Sequence, residues 1–292
     1  MLAGGGRLES SLIIDVFVPL ALGMIMFALG LGLSTADFAR VVTYPKAVLV
    51  GLGTQMLLLT AVAYVVARAF QLSPPLATGL MIIAASPGGA AACLYSHLAR
   101  GDVALNITLT ALNSVLALAW LPVVVTWSIA HFYGAQHVVP PPFHEVVRVG
   151  MIIVLPVLAG MTVRRLAPEF CRRAEVPTRI MAVLVLVGLV ATVFARVGAV
   201  TFMDYVVQAG PAVLAFNVAS LGLGYMMPRL VGLSRYQSKA IALEIGLHNA
   251  ALAIFVALTV LQNNEMTVTP VVYGVLMFAT GGLFSLWLAH SE

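Results

Sequence analysis

The stretch 242–255 reads A-L-E-I-G-L-H-N-A-A-L-A-I-F, which sets Glu244, His248 and Asn249 inside an apolar run. A carboxylate at the centre of a bilayer costs about 2.5–3.5 kcal/mol on insertion scales, and residues that bear such a cost usually face a polar cavity or an ion path. Gly246 lies among these polar groups. A glycine-interrupted apolar helix can turn freed carbonyls toward a cation or freed amides toward an anion. The stretch therefore predicts a binding site at mid-membrane depth.

Composition decides the setting. Of 292 residues, 61% are hydrophobic and 9% charged, whereas a soluble domain carries about 25% charge. The chain is expected to be an all-α integral membrane protein. At about 20 apolar residues per crossing, it has room for nine or ten spans and no sizeable soluble domain. The net charge of +4 comes from basic residues scattered singly or in pairs between apolar runs, the pattern of topology signals rather than of a nucleic-acid face. Cys93 and Cys171 show neither disulfide nor metal spacing. The first apolar run, 12–33, is too long for a signal-peptide core and lacks a cleavage pattern, so it reads as a mature span.

Nine spans are expected, at 12–33, 47–70, 76–99, 103–129, 147–163, 180–195, 212–227, 240–261 and 268–288. They divide the chain into an outer tail 1–11, a first half 12–133 with four spans, an external linker 134–146 and a second half 147–289 with five. With the N-terminus outside and the C-terminus cytoplasmic, Arg40, Lys46, Arg100, Arg164, Arg165, Arg172, Arg173, Arg179, Arg229, Arg235 and Lys239 all fall in cytoplasmic loops. Only Arg7, Arg68, Arg148 and Arg196 then lie on the outer side. The expected location is the cell (inner) membrane.

The third span contains Ser86, Pro87, Gly88 and Gly89 at its middle. Proline lacks an amide donor and crowds the preceding turn, and paired glycines offer no Cβ to hold a helix, so the span should break there. In this topology the third and eighth spans, 76–99 and 240–261, cross in opposite senses. Two interrupted, antiparallel spans at matching places are the sequence signature of an inverted-repeat transporter with its site at the midplane.

Two of these stretches also carry a resemblance. S-P-G-G-A-A-A-C-L-Y-S-H-L-A-R-G-D-V-A-L-N-I-T-L-T, from Ser86 to Thr110, and E-I-G-L-H-N, from Glu244 to Asn249, resemble the signature stretches of the bile acid:sodium symporter family. A looser likeness runs through M-F-A-L-G-L-G-L-S-T-A-D-F-A-R and Y-P-K, and suggests a bacterial homologue of the apical sodium-dependent type. The resemblance implies core and panel domains, two broken helices crossing in the core, and transport of organic anions with sodium. It implies a first sodium site at Ala92, Cys93, Asn106, Thr110 and Glu244. It implies a second at Glu244, the carbonyls of Ile245 and Leu247, His248 and Gln55. Alanine offers no ligand and a thiol is soft, so the first site is altered and the second is the expected one.

For the cargo, helices restarting after Gly88 and Gly89 and after Gly246 should expose amides and positive dipole ends to an anion. Gly88, Gly89, Ala90, His248 and Asn249 are the expected substrate contacts. Glu244 and His248 are four residues apart, which would place both on one face of a regular helix, and a titratable pair makes proton coupling the alternative to sodium. Asp15, His97, His131, His137, His144 and His290 fall at span ends or in loops and read as interface groups. A nucleotide-binding loop, H-E-x-x-H and G-x-S-x-G are absent from the sequence, and the two opposed breaks give a packing scaffold or channel no advantage. The expected function is secondary active transport of a small organic anion, bile-acid-like or another carboxylate, by alternating access. Sodium and the bilayer are the only other partners expected; the reading calls for no organic cofactor or nucleic acid, and a monomer suffices.

Overall fold

The computed structural model describes residues 16–134 and 143–290, with backbone alone at Ala90, at 143–149 and at Arg172, Glu175, Val176, Arg179 and Ala182. The expected tail 1–11, Asp15, His137 and most of the expected linker 134–146 lie outside the described residues, as do the side chains of His144 and Arg148. In chain order the helices are α1 (Val18–Gly32), the short α2 (Thr35–Ala39), α3 (Pro45–Ala69), α4 (Pro74–Ala85), α5 (Ala90–Leu98) and α6 (Val103–Tyr133). They continue with α7 (Phe143–Leu166), α8 (Pro168–Val197), α9 (Ala199–Leu230), α10 (Arg235–Gly246), α11 (Ala250–Val260) and α12 (Glu265–His290).

Local chemistry fixes the helix ends. Pro45, Pro74 and Pro168 stand in first turns, where an amide would have no acceptor and the proline φ is already helical. Ser34 and Ser234 open capping boxes with Asp37 and Gln237, and the Asp102 carboxylate accepts from the Leu105 amide at 3.0 Å. Between α8 and α9 stands a single residue, Gly198, at a φ of +83°, a left-handed conformation that glycine adopts without a Cβ clash.

Among the described residues, helix covers most of each expected stretch, with the third and eighth each split into a pair of shorter helices. By length and apolarity, α3, α6, α9 and α12 can each cross a membrane, and α1 joined to α2 through a 72° bend makes a fifth. Shorter apolar helices are α4, α11 and the Val183–Val197 part of α8. Leu20, Leu57, Val65, Val123, Leu283 and Trp287 point outward, an apolar exterior suited to lipid. The chain is an all-helical membrane protein.

Two groups of helices emerge from the packing. Helix α1 packs chiefly on α7 and α8, whereas α9 packs on α10, α12 and α3, and α4 on α6, α12 and α3. Within the first group the backbones touch: a Cβ on Gly30 would strike the Val157 carbonyl, and one on Gly160 the Phe27 carbonyl. Lipid removes the hydrophobic gain between helices, so such close approach supplies the attraction through dispersion. Helix α2 rests instead on α6. Leu33 and Ser34, between α1 and α2, therefore link the two groups. The elbow is locked by Asp37, whose carboxylate accepts from the Ser34 amide at 2.6 Å and the Ser34 hydroxyl at 2.7 Å and pairs with Arg40.

Candidate functional site

Helix α4 ends at Ala85, and Ser86 turns into extended backbone before α5 begins at Ala90. Helix α10 ends at Gly246, and Leu247 to Asn249 are non-helical before α11. The two gaps meet. Gly88 and His248 form an isolated antiparallel bridge, in which the Gly89 amide donates to the Leu247 carbonyl at 2.7 Å and the Asn249 amide to the Pro87 carbonyl at 2.8 Å. Backbone groups freed within an apolar interior must find partners in protein, and each interruption satisfies the other.

This arrangement corrects an expectation from the sequence. The amides of Gly89 and Asn249 do not stand open toward an anion; they are spent on the opposite gap. The second break also begins one residue later than Gly246, which is the last residue of α10. The Gly246 carbonyl accepts from Asn217 Nδ2 at 3.0 Å and from the Tyr273 hydroxyl at 2.8 Å. Sequence reasoning missed both donors. Asn217 could have been found as an amide within an apolar run, whereas nothing in the sequence marks Tyr273.

Glu244 lies on α10 one turn before the break and is fully buried. Thr110 of α6 donates its hydroxyl to Glu244 Oε2 at 2.6 Å, and the Asn113 side chain and Gly88 amide border the same carboxylate. Oε1 has no hydrogen-bond partner. Gly88 is required here by space, since a Cβ at that position would overlap the carboxylate. One turn back, Asn106 Nδ2 donates to the Ala240 carbonyl at 3.0 Å, leaving Asn106 Oδ1 buried without a partner. Asn106 and Thr110, four apart on α6, thus register against Ala240 and Glu244, four apart on α10. Carboxylate, amide and hydroxyl oxygens are hard donors suited to a small hard cation rather than to a soft metal. Ala92 and Cys93, the other two expected first-site positions, are buried and half-buried on α5.

His248 does not join Glu244. The chain leaves the helix at Leu247, so a four-residue spacing no longer shares a face. The imidazole stacks on Tyr273, with ring centroids 5.3 Å apart and planes 15° apart, and Phe216 lies 5.8 Å away. Both its nitrogens are buried without partners. Gln55, in a π turn of α3, donates Nε2 to the Ser86 carbonyl at 2.9 Å, and its Oε1 has no partner. The Leu247 carbonyl is occupied by Gly89, and Ile245 is buried within α10. Asn249 caps α11, its Oδ1 accepting from the Leu252 amide at 3.1 Å. Ala90 opens α5, which has no side-chain cap. The structure therefore brings Glu244, Thr110 and Asn106 to one α6–α10 seam, and places Gln55 and His248 against other partners.

Residues 19–203 match the family described as the sodium bile acid symporter family. The chain belongs to this family. It is accordingly a membrane transport protein and not an enzyme. Among its relatives, a rice (Oryza sativa subsp. japonica) protein described as a probable chloroplastic sodium/metabolite cotransporter is 27% identical over 92% of this chain. An uncharacterized sodium-dependent transporter of Bacillus subtilis is 25% identical over 84% of this chain, and the human ileal sodium/bile acid cotransporter is 23% identical over 94%. The chain spans 62% of the length of the rice protein, 74% of the Bacillus protein and 79% of the human one. The family match ends before the second interruption, whereas the relatives extend the similarity over most of the chain.

Proposed function

We propose that this protein is a secondary transporter that moves a small organic anion across the cell membrane by alternating access, with sodium as co-substrate. The observation that carries the reading is Glu244: fully buried one turn from the crossing of two interrupted helices, with Oε1 unpartnered and Thr110 on Oε2. An unsatisfied carboxylate oxygen at such a depth calls for a cation or a proton. Glu244, Thr110 and Asn106 are the proposed sodium ligands, which moves the preferred site from the second expected set to the first. The rice relative is described as a probable sodium/metabolite cotransporter and the human one as a sodium/bile acid cotransporter, which supports a carboxylate or bile-acid-like anion as cargo. Asn249 and the uncapped first turn of α5 at Ala90, beside Gly88 and Gly89, are its proposed contacts.

The proposed architecture has nine spans with the N-terminus outside and the C-terminus cytoplasmic, in halves of four and five related as an inverted repeat. The α1, α7 and α8 group serves as the panel and the remaining helices as the core that moves against it. The test is uptake by proteoliposomes under imposed sodium and proton gradients. Sodium-driven uptake in wild type that is lost in Glu244→Gln, with membrane insertion retained, is the expected result. Full uptake in that variant removes Glu244 from the mechanism. A second reading, proton coupling, draws on the same carboxylate: the groups that border it, Thr110, Asn113 and Gly88, are uncharged, an environment equally suited to a protonated acid. Uptake driven by a proton gradient and indifferent to sodium decides for it.

A further inference from the structure

Three buried polar atoms beside the first interruption have no hydrogen-bond partner: Gln55 Oε1, Asn113 Nδ2 and Trp120 Nε1. Their residues line one small cavity, closed on other sides by Ser86, Pro87 and Ala117. Gln55 and Asn113 are each only 3% exposed. The orientation of Gln55 is set by its other end, since Nε2 donates to the Ser86 carbonyl. The cavity therefore presents two donors and one acceptor. A carboxylate has no proton for Gln55 Oε1, and an ammonium has no lone pair for the two N–H groups. A hydroxyl has two lone pairs and one O–H, and matches all three.

Ala117 also borders a second, larger cavity, walled by apolar side chains including Leu121, Val125, Ile153, Leu252 and Val256 from α6, α7 and α11. Ala117 thus contributes to the wall of both cavities. Leu252 belongs to the first turn after the crossing, so the apolar chamber adjoins the place where the transport reading puts the cargo.

We propose that Asn113, Trp120 and Gln55 form a hydroxyl-recognising subsite of the cargo cleft, the apolar body of the cargo lying in the larger cavity and its hydroxyl passing Ala117. This inference rests on the transport reading above and assigns specificity to residues which that reading does not name as cation or cargo ligands.

Thermal stabilisation of the purified full chain by ω-hydroxyalkanoates of six to twelve carbons, each paired with its unsubstituted parent acid, reads the preference. Wild type is expected to bind the best-fitting hydroxy acid about tenfold more tightly than its parent, the scale of one or two neutral hydrogen bonds. Trp120→Phe, which deletes the N–H and keeps an aromatic ring, and Asn113→Leu, which keeps the volume, are each expected to reduce that ratio to about threefold or less. A wild-type ratio near one at every chain length, through equal binding or through none, overturns the proposal. So does a ratio that survives both variants. The outcomes separate from those of the transport reading: a ratio near one with Glu244-dependent uptake intact removes only the subsite, whereas a high ratio without uptake removes only the transport.

Discussion

The two interruptions that meet at Gly88 and His248 solve the same problem with opposite means. Around the first, the paired glycines leave little side-chain bulk, and the Ser86 carbonyl is held by one outside donor, Gln55. Around the second, large side chains remain, and the Gly246 carbonyl is held twice, by Asn217 and Tyr273, with the His248 ring stacked beside them. The first gap is thus thin and singly tethered, the second packed and doubly tethered. The thin gap lies against the Glu244 carboxylate, so bulk is missing where a ligand and a carboxylate need room.

Adding bulk to the thin side should produce the largest effect. Gly88→Ala places a methyl against the Glu244 carboxylate, and overpacking of this kind costs about 1–3 kcal/mol. Uptake is expected to fall at least tenfold and thermal stability to drop; unaltered uptake in a folded Gly88→Ala protein would show that the carboxylate has slack. Removing tethers comes next. Gln55→Leu leaves the buried Ser86 carbonyl without its side-chain donor and is expected to cost about 1–3 kcal/mol. Tyr273→Phe leaves Asn217 on its carbonyl and should cost about 0.5–1.5 kcal/mol. Chemical denaturation of the two variants side by side checks the order, and a reversed order breaks the contrast between single and double tethering. The smallest change belongs to His248→Phe, which keeps the ring contact and deletes two unpartnered nitrogens. Stability should hold or rise slightly and sodium-driven uptake should persist; loss of uptake with intact stability would return His248 to the coupling machinery.

Legibility followed the range of the interactions. Pro87, Gly88 and Gly89 announce the first break because the chemistry that forbids a helix is in the residues themselves. The apolar runs announce each helix for the same reason, and the polar residues Glu244, Thr110 and Asn106 stand out from their runs. What the sequence could not supply was orientation. His248 turns away from Glu244 because Phe216 and Tyr273, on α9 and α12, provide an aromatic slot. The amides of Gly89 and Asn249 are consumed because their acceptors lie across the crossing, more than a hundred residues away along the chain. The resemblance makes Gln55 a cation ligand, whereas its bond to Ser86 depends on a π turn that no residue type signals.

The elbow between α1 and α2 sets a limit of its own. Only Leu33 and Ser34 separate the end of a helix seated on α7 and α8 from a helix seated on α6, and two fully stretched residues reach about 7 Å. The Ser34, Asp37 and Arg40 knot holds even that slack folded. Like a short leash, it confines any sliding of one bundle past the other, at that end, to roughly one helical turn.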